Sequence, residues 1–406
     1  MINDVIIIGG GASGMMAAIT AASRNKKVTI IEHCEKTGKK ILMTGNGKCN
    51  YSNTLQNVDC YRCSDDSFVN SVLEKFPQKD VTDFFLRNGI ATKNRNGYLY
   101  PRSGQAAVIS EFLREKCEHA GVNIICGLEC KSIKCVNGIF SVKCRYIENG
   151  EKCVMTARSV IVSTGGMTYQ KSGSDGSGYR ILSELGHHII KPLPALTPLH
   201  CKEKFFKALK GVRCDAKVSL YIDNKFTASD TGELQLTDYG VSGIPVFQIS
   251  RYASRALDED RKVTVDIDFV PEYDENTVRD ILLSDNDLSI SQTLNGIVNK
   301  KISQVILKIT GISENMVSKK ISTNDVRKIV RQLKSTKVTV TKTGGFEQAQ
   351  VCCGGVSTDE IDSGTMQSKL IDNLFITGEV MDVDGICGGY NLQWAWSTGY
   401  IAGSNC

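Results

Sequence analysis

The sequence predicts an α/β fold: a Rossmann-like dinucleotide-binding domain, into which a β-rich segment and then a helical segment are inserted. Three observations carry this. The first 32 residues read strand, glycine turn, helix, strand, acid. Three prolines between Pro192 and Pro198 open a stretch of period-two alternation that gives way to amphipathic helical patterning from Glu272 to Lys334. A further apolar run, Leu374 to Ile376, again ends in glycine and acid, as Thr377-Gly378-Glu379.

Val5 to Ile8 is a run of β-branched residues, apolar enough for a parallel strand buried on both faces. Gly9, Gly11 and Gly14 then fit G-x-G-x-x-G, with Ala12 and Ser13 opening a helix that continues through Ala22. Gly9 permits the tight turn, Gly11 lets a pyrophosphate approach the backbone, and Gly14 lets helix and strand pack closely. The free N–H groups and dipole of the helix start bind that anion. The second strand, Val28 to Ile31, ends in Glu32, 18 positions past Gly14, where a carboxylate accepts from a ribose diol. The motif alone does not choose FAD over NAD.

At 406 residues the chain predicts two or three domains. A net charge of +5 and the lack of a dense Lys/Arg run argue against a nucleic-acid protein. The 16 cysteines are scattered, and no stretch reads as a signal peptide or membrane span, so free thiols in a reducing cytoplasm are expected. Cys60 and Cys63 form a lone C-x-x-C without the second pair that zinc requires, so no metal site is expected. The vicinal Cys352 and Cys353 are pointed to opposite faces by a strand, so redox activity is not expected of them. His187-His188 has no acidic neighbour at ligand spacing and reads as surface.

Between Gly38 and Asn50 stand three glycines, two asparagines and three basic side chains, a shaped loop rich in backbone donors. Ser67 to Gly89 reads as helical, Asn94 to Ser103 as a hairpin, and Gln105 to Ala120 as a helix with Ile109, Phe112, Leu113 and Cys117 on one face. Val154 to Arg158 reads as part of a β-meander, and Ser159 to Gly166 as a separate buried strand ending in glycines.

With the glycine run Gly9 to Gly14 and the K-I-L-x-T-G-x-G-x-C-N pattern from Lys40 to Asn50, the chain resembles the YhiN/BaiN-like flavoproteins, also called the aminoacetone oxidase family. The resemblance continues at Gly97 to Pro101, Thr164 to Gly166, Asp238 to Gly243 and the C-terminus. It implies a discontinuous FAD domain of the two-dinucleotide-binding type with an inserted β-barrel-like domain and a small helical domain. The boundaries expected are 1–193 and 349–406 for the FAD domain, 194–270 with 336–348 for the barrel, and 271–335 for the helices. The FAD contacts implied, beyond Gly9 to Gly14 and Glu32, are His33, Lys40, Ile41, Gly45, Asn46, Lys48, Cys49, Asn50, Cys130, Thr164, Gly165, Gly166, Gly378, Glu379, Asp384, Asn391 and Leu392. Cys130 would lay backbone against the adenine and Glu379 would meet the ribityl chain. The start of the last helix would face the flavin N1–C2=O edge. Cys49 has no partner at the spacing of a redox pair, so dithiol chemistry is not expected.

The activity implied is hydride transfer from NADH or NADPH, through FAD, to a C=C conjugated to the 3-oxo group of a steroid acid or its CoA thioester. Tyr98, Tyr100 and Arg102 are the candidate catalytic contacts. Two alternatives stay open: a flavin amine oxidase acting on aminoacetone with O2, and a non-catalytic or RNA-associated flavoprotein. A small-molecule partner is expected, with neither nucleic acid nor membrane. Oligomeric state, the true substrate and the choice of nicotinamide are not encoded in any motif.

Overall fold

A computed structural model of the chain describes residues 2–284 and 287–406. Residues 285 and 286, inside the segment predicted as helical, lie outside the described residues. The chain divides into two compact units, 1–193 with 351–406, and 194–350.

The first unit is built on a seven-stranded mixed sheet. Asn3–Ile8 lies at its centre, parallel to Val28–Glu32 on one side and to Lys152–Val162 on the other. Val5, Ile6 and Ile7 are fully buried, as a strand covered on both faces must be. Asn123–Cys126 extends the sheet beyond Val28–Glu32. The stretches read separately as Val154–Arg158 and Ser159–Gly166 are one strand, Lys152–Val162. Its first half pairs antiparallel with Ile139–Tyr146, and its last residues pair parallel with Leu374–Ile376. One strand thus serves both the meander and the parallel sheet. This explains why its sequence changes from alternating to uniformly apolar midway. The stretch read as helical over 67–89 is two helices, Asp66–Lys75 and Gln78–Arg87, parted at Pro77.

The last helix, Tyr390–Asn405, lies against the first, Ala12–Ala22, at backbone distance. A Cβ at Gly399 would sit 2.3 Å from the Ser13 carbonyl oxygen, and one at Gly403 would sit 2.4 Å from that of Ala17. The last helix is also tied to the loop after residue 50. Trp396 Nε1 donates to the Tyr51 carbonyl at 3.0 Å, and Ser52 Oγ donates to Gln393 Oε1 at 2.6 Å. The two ends of the chain therefore build one core.

The second unit is a closed six-stranded antiparallel barrel with helices. The strand order is Leu199–Cys201, Gly240–Gly243, Lys225–Leu236, Arg213–Ile222, Val263–Asp268 and Thr336–Thr343, which closes on the first. The helix Ile244–Asp258 packs Val246, Ile249 and Ala253 against the barrel core. The helices Glu275–Leu282, Ile290–Asn295, Lys300–Thr310 and Thr323–Lys334 then precede the closing strand. No helix among the described residues is long and apolar enough to cross a membrane.

Candidate cofactor and substrate site

The glycine turn is shaped by contacts that admit no side chain. Gly9 has φ +103°, and a Cβ there would lie 2.4 Å from the Ser163 carbonyl oxygen. At Gly14 a Cβ would lie 2.0 Å from the Gly9 carbonyl oxygen. At Gly11, by contrast, nothing lies within 4 Å of the added carbon. Its missing side chain is needed for open space over the helix start rather than for packing. That helix start carries no side-chain cap and no acid in its first turn, so its N–H end is left electropositive.

Glu32 is buried, with Oε2 accepting from Gly10 N at 2.8 Å and Oε1 from Cys34 N at 2.7 Å. It pins the glycine turn to the end of the second strand while each oxygen keeps a further lone pair. His33 and Cys34 follow on the same loop, beside Gly173. Burial, and then the Glu32 carboxylate, push the Cys34 thiol up to about 11. Among the described residues, Glu32, His33 and Cys34 bring three ligand-type atoms within 4.8 Å of one another. Cys130 is buried near the start of the strand Leu128–Val136, which Gly127 N ties to the Cys34 carbonyl at 3.0 Å.

The Gly38–Asn50 segment is the shaped loop its composition predicts. Gly38, Gly45, Asn46, Gly47 and Cys49 all have positive φ. Gly38 N donates to the Gly10 carbonyl at 2.8 Å, seating the loop on the glycine turn. Ile41 is buried as an anchor, whereas Gly45, Asn46 and Lys48 are exposed. Cys49 is wholly buried, its thiol pushed up to about 12 by desolvation, which makes it an inert packing group. Asn50 Oδ1 is a buried acceptor without a partner among the described residues.

Lys40 reaches across to Glu379, Nζ to Oε2 at 2.6 Å, and also donates to Thr168 Oγ1 at 2.8 Å. The other Glu379 oxygen accepts from Cys352 N at 3.1 Å and from Thr168 Oγ1 at 3.4 Å. Gly166 is glycine for this carboxylate, since a Cβ there would lie 2.8 Å from Glu379 Oε1. Gly165 turns with φ +70° beside Ser174, and Thr164 packs on Gly178. Gly378, at φ +75°, donates its N–H to Thr398 Oγ1 and lies against Ser13. Cys352 accepts the Met167 N–H at 3.2 Å while Cys353 points elsewhere, to the Leu193 carbonyl. Burial, then the neighbouring Glu379 charge, push the Cys352 thiol up to about 12. Thr168 was not singled out in the sequence, because it stands in no glycine motif, and Cys352 was read there only as half of a vicinal pair.

At the other end of this surface the last helix begins at Tyr390 after Gly389, φ +93°, with no side-chain cap. Asn391 holds the Gly385 backbone in both directions, accepting at 2.9 Å and donating at 2.8 Å. Asp384 is buried on a short strand paired with Tyr61–Arg62, and Leu392 is half-buried in the first helical turn. Tyr98 and Tyr100 share one face of the hairpin strand Tyr98–Pro101, with buried Leu99 on the other. Tyr98 Cε1 is 3.2 Å from the Cβ position of Gly388, and Tyr100 Cε1 is 3.5 Å from that of Gly45. Burial raises the Tyr100 hydroxyl, opposed by the Arg95 guanidinium 5.9 Å from the ring centroid. Tyr98 therefore borders the turn before the last helix, and Tyr100 borders the Gly45 loop. Arg102 is exposed at the end of the hairpin, its backbone N–H donating to the Ala91 carbonyl.

The geometry is that of a Rossmann-type cradle closed from the far end of the chain, and a family model agrees: the HI0933-like protein Rossmann domain matches residues 3–405. The chain belongs to the HI0933-like family. One member, the 3-dehydro-bile acid delta(4,6)-reductase of Clostridium scindens, is 41% identical over 99% of this chain and 98% of its own. Another similar relative, a ribosomal RNA dihydrouridine synthase of Haemophilus influenzae, is 30% identical over 98% of this chain and 97% of its own. Among solved structures, the 3-ketosteroid delta1-dehydrogenase of Sterolibacterium denitrificans superposes with a TM-score of 0.52 at 12% identity, covering 99% of this chain and 98% of that one. That likeness extends the family's fold to a wider group.

His187 corrects the sequence reading. It is buried rather than on the surface, with Nδ1 2.9 Å from Glu360 Oε2 and Nε2 3.0 Å from Ser368 Oγ. Its acidic neighbour lies 173 positions away in sequence, where no local spacing rule reaches. Ser368 Oγ also accepts the N–H groups of Leu370 and Ile371, so the triad fastens a loop within the core.

Proposed function

We propose that this protein is an FAD-dependent reductase of a C=C bond conjugated to a carbonyl, with a 3-oxo-Δ4 or Δ4,6 bile acid, free or as its CoA thioester, as substrate. The observation that carries the reading is the 41% identity to the bile-acid reductase along the whole chain. The residues present suit FAD. Gly11 leaves a cradle that a Cβ would fill, the first helix start is uncapped, and Asn50 Oδ1 is a buried acceptor, without a partner among the described residues, beside Gly389 at the start of the last helix. FAD held there would supply two-electron chemistry, the passage of a hydride equivalent from NADH or NADPH to the β-carbon of the enone.

The chain's own residues do the rest. Gly9 to Gly14 and the first helix start hold the pyrophosphate, and Glu32 holds the adenosine ribose. Lys40, Gly166, Gly378 and Glu379 line the middle of the cofactor. The uncapped N-terminus of the last helix, at Gly389 to Leu392, stabilises negative charge on the ring edge. Tyr100 gives its phenolic proton to the substrate α-carbon, while Tyr98 orients the carbonyl. Arg102, exposed beside them, pairs with the acidic end of the substrate.

A second reading is favoured by the ribosomal RNA dihydrouridine synthase relative. The uracil C5=C6 bond is also conjugated to a carbonyl, so the same addition of hydride and proton would reduce uridine in RNA. Anaerobic stopped-flow of the yellow protein separates the readings. NADH should bleach the flavin, and a 3-oxo-4-ene bile acid should restore the colour within the turnover time. Recovery only with uridine-containing RNA replaces the first reading with the second. Bleaching by aminoacetone, with peroxide formed in air, replaces both with the oxidase.

A further inference from the structure

Charge is distributed unevenly along the second unit. Lys300 to Lys342 holds eleven lysines and arginines against two acids, Glu314 and Asp325, although the whole chain carries only +5. Some of these cations are spent within the fold. Lys334 pairs with Asp268 at 2.7 Å, Lys328 with Asp325 at 2.8 Å, and Lys319 with Asp287.

Others are not. Arg331 and Lys337 are exposed, have no ion pair among the described residues, and flank a groove of about 260 Å³. Lys308 is exposed and immediately precedes the lining residue Ile309 on the helix Lys300–Thr310. The wall is apolar: Ile309, 43% exposed, and the ring of Phe205, which also packs on Phe206 at 4.8 Å between centroids. The floor is polar, with Gln332, Ser335 and the backbone near Thr336. Ser335 Oγ already donates to Asp266 Oδ2.

We propose that this groove is an RNA-binding site, in which Arg331, Lys337 and Lys308 meet successive phosphates and a base stacks on Phe205 against Ile309. Cations spaced around one aromatic face are the arrangement that single-stranded nucleic acid requires. In sequence, Phe205 stands more than a hundred positions from the cations, so the interleaving exists only in the folded unit. The choice of RNA as occupant rests on the second reading above. The groove itself is independent of which C=C bond is reduced.

The test is binding without turnover. The full-length holoprotein is titrated into a fluorescein-labelled, mixed-sequence, single-stranded RNA of roughly 20 nucleotides, followed by anisotropy. For three phosphates neutralised, raising salt from about 50 to about 200 mM should weaken binding about 20-fold. The Arg331→Gln/Lys337→Gln variant should flatten the salt slope by about 1.4 and weaken binding at low salt on the order of tenfold. Phe205→Leu should weaken binding about tenfold with the salt slope unchanged. Flavin absorbance and circular dichroism should be as in the parent. No binding by the parent protein overturns the proposal, and so does binding that neither variant changes. Equal, variant-sensitive binding to phosphatidylglycerol vesicles overturns it in favour of an anionic membrane. Dihydrouridine is assayed separately by mass spectrometry: RNA bound at the groove but never reduced keeps the site and ends the second reading. Uridine reduced in RNA that ignores both variants does the reverse.

Discussion

Lys40 Nζ lies 2.6 Å from Glu379 Oε2, joining residues 339 positions apart. The same carboxylate also takes the Cys352 N–H and the Thr168 hydroxyl. Three returns of the chain therefore converge on one charge, and the two side chains are 24% and 16% exposed. Removing the lysine alone leaves that charge half-buried without a cation. Lys40→Met should cost about 2 kcal/mol, less than a fully buried pair because water still reaches it. Lys40→Met/Glu379→Leu should recover more than half of the loss. Urea unfolding of the four members of this cycle measures it.

The two glycines of the first turn should fail differently. Gly14→Ala places a carbon 2.0 Å from a carbonyl oxygen and should destabilise the apoprotein by about 3 kcal/mol. Gly11→Ala meets no atom of the protein and should leave the melting temperature of the apoprotein unchanged. If the open space over Gly11 takes the pyrophosphate, the FAD affinity of this variant should fall by about tenfold or more. Melting curves without FAD and FAD titrations of each variant separate the two effects.

Tyr100 and Arg102 lie two residues apart, one half-buried beside the Gly45 loop and the other exposed. If Tyr100 delivers the proton, Tyr100→Phe should lower kcat about 100-fold with KM little changed. If Arg102 holds the acidic end of the substrate, Arg102→Ala should raise KM about tenfold and leave kcat within about twofold. Steady-state kinetics with an enone bile acid reads the split.

His187 is buried between Glu360 and Ser368, and burial lowers its proton affinity below the ordinary histidine range despite the opposing pull of Glu360. The unfolded chain therefore binds a proton at higher pH than the native one. This contribution to stability is present above the unfolded value near 6.5 and declines as pH falls below it toward the native value. Thermal unfolding between about pH 7.5 and 5.5 should show a lower melting temperature at acid pH, and a loss of about 1 kcal/mol corresponds to roughly 2–4 °C. His187→Gln should reduce that slope. An unchanged slope would remove His187 as its source.

Much of the fold was legible because its signals are local. Gly9, Gly11 and Gly14 stand beside the strand and helix they join, and Val5 to Ile8 declare burial on both faces by composition alone. The positive-φ loop from Gly38 to Cys49 was readable for the same reason: Gly and Asn tolerate that backbone, and they cluster there. The alternation of the barrel strands and the helical period after residue 272 needed no partner to be recognised.

What required the tertiary structure is what distant residues do to one another. Lys152–Val162 became one strand because its two halves find different neighbours. Glu379 found Lys40, His187 found Glu360, and Phe205 came to line one groove with Arg331. The sequence alone determined the elements and the dinucleotide turn, whose geometry follows from backbone sterics over a few residues. The tertiary structure decided which charges are paired, which histidine is buried and which distant side chains line one groove. Those outcomes depend on desolvation and on contacts that exist only after the chain has closed on itself.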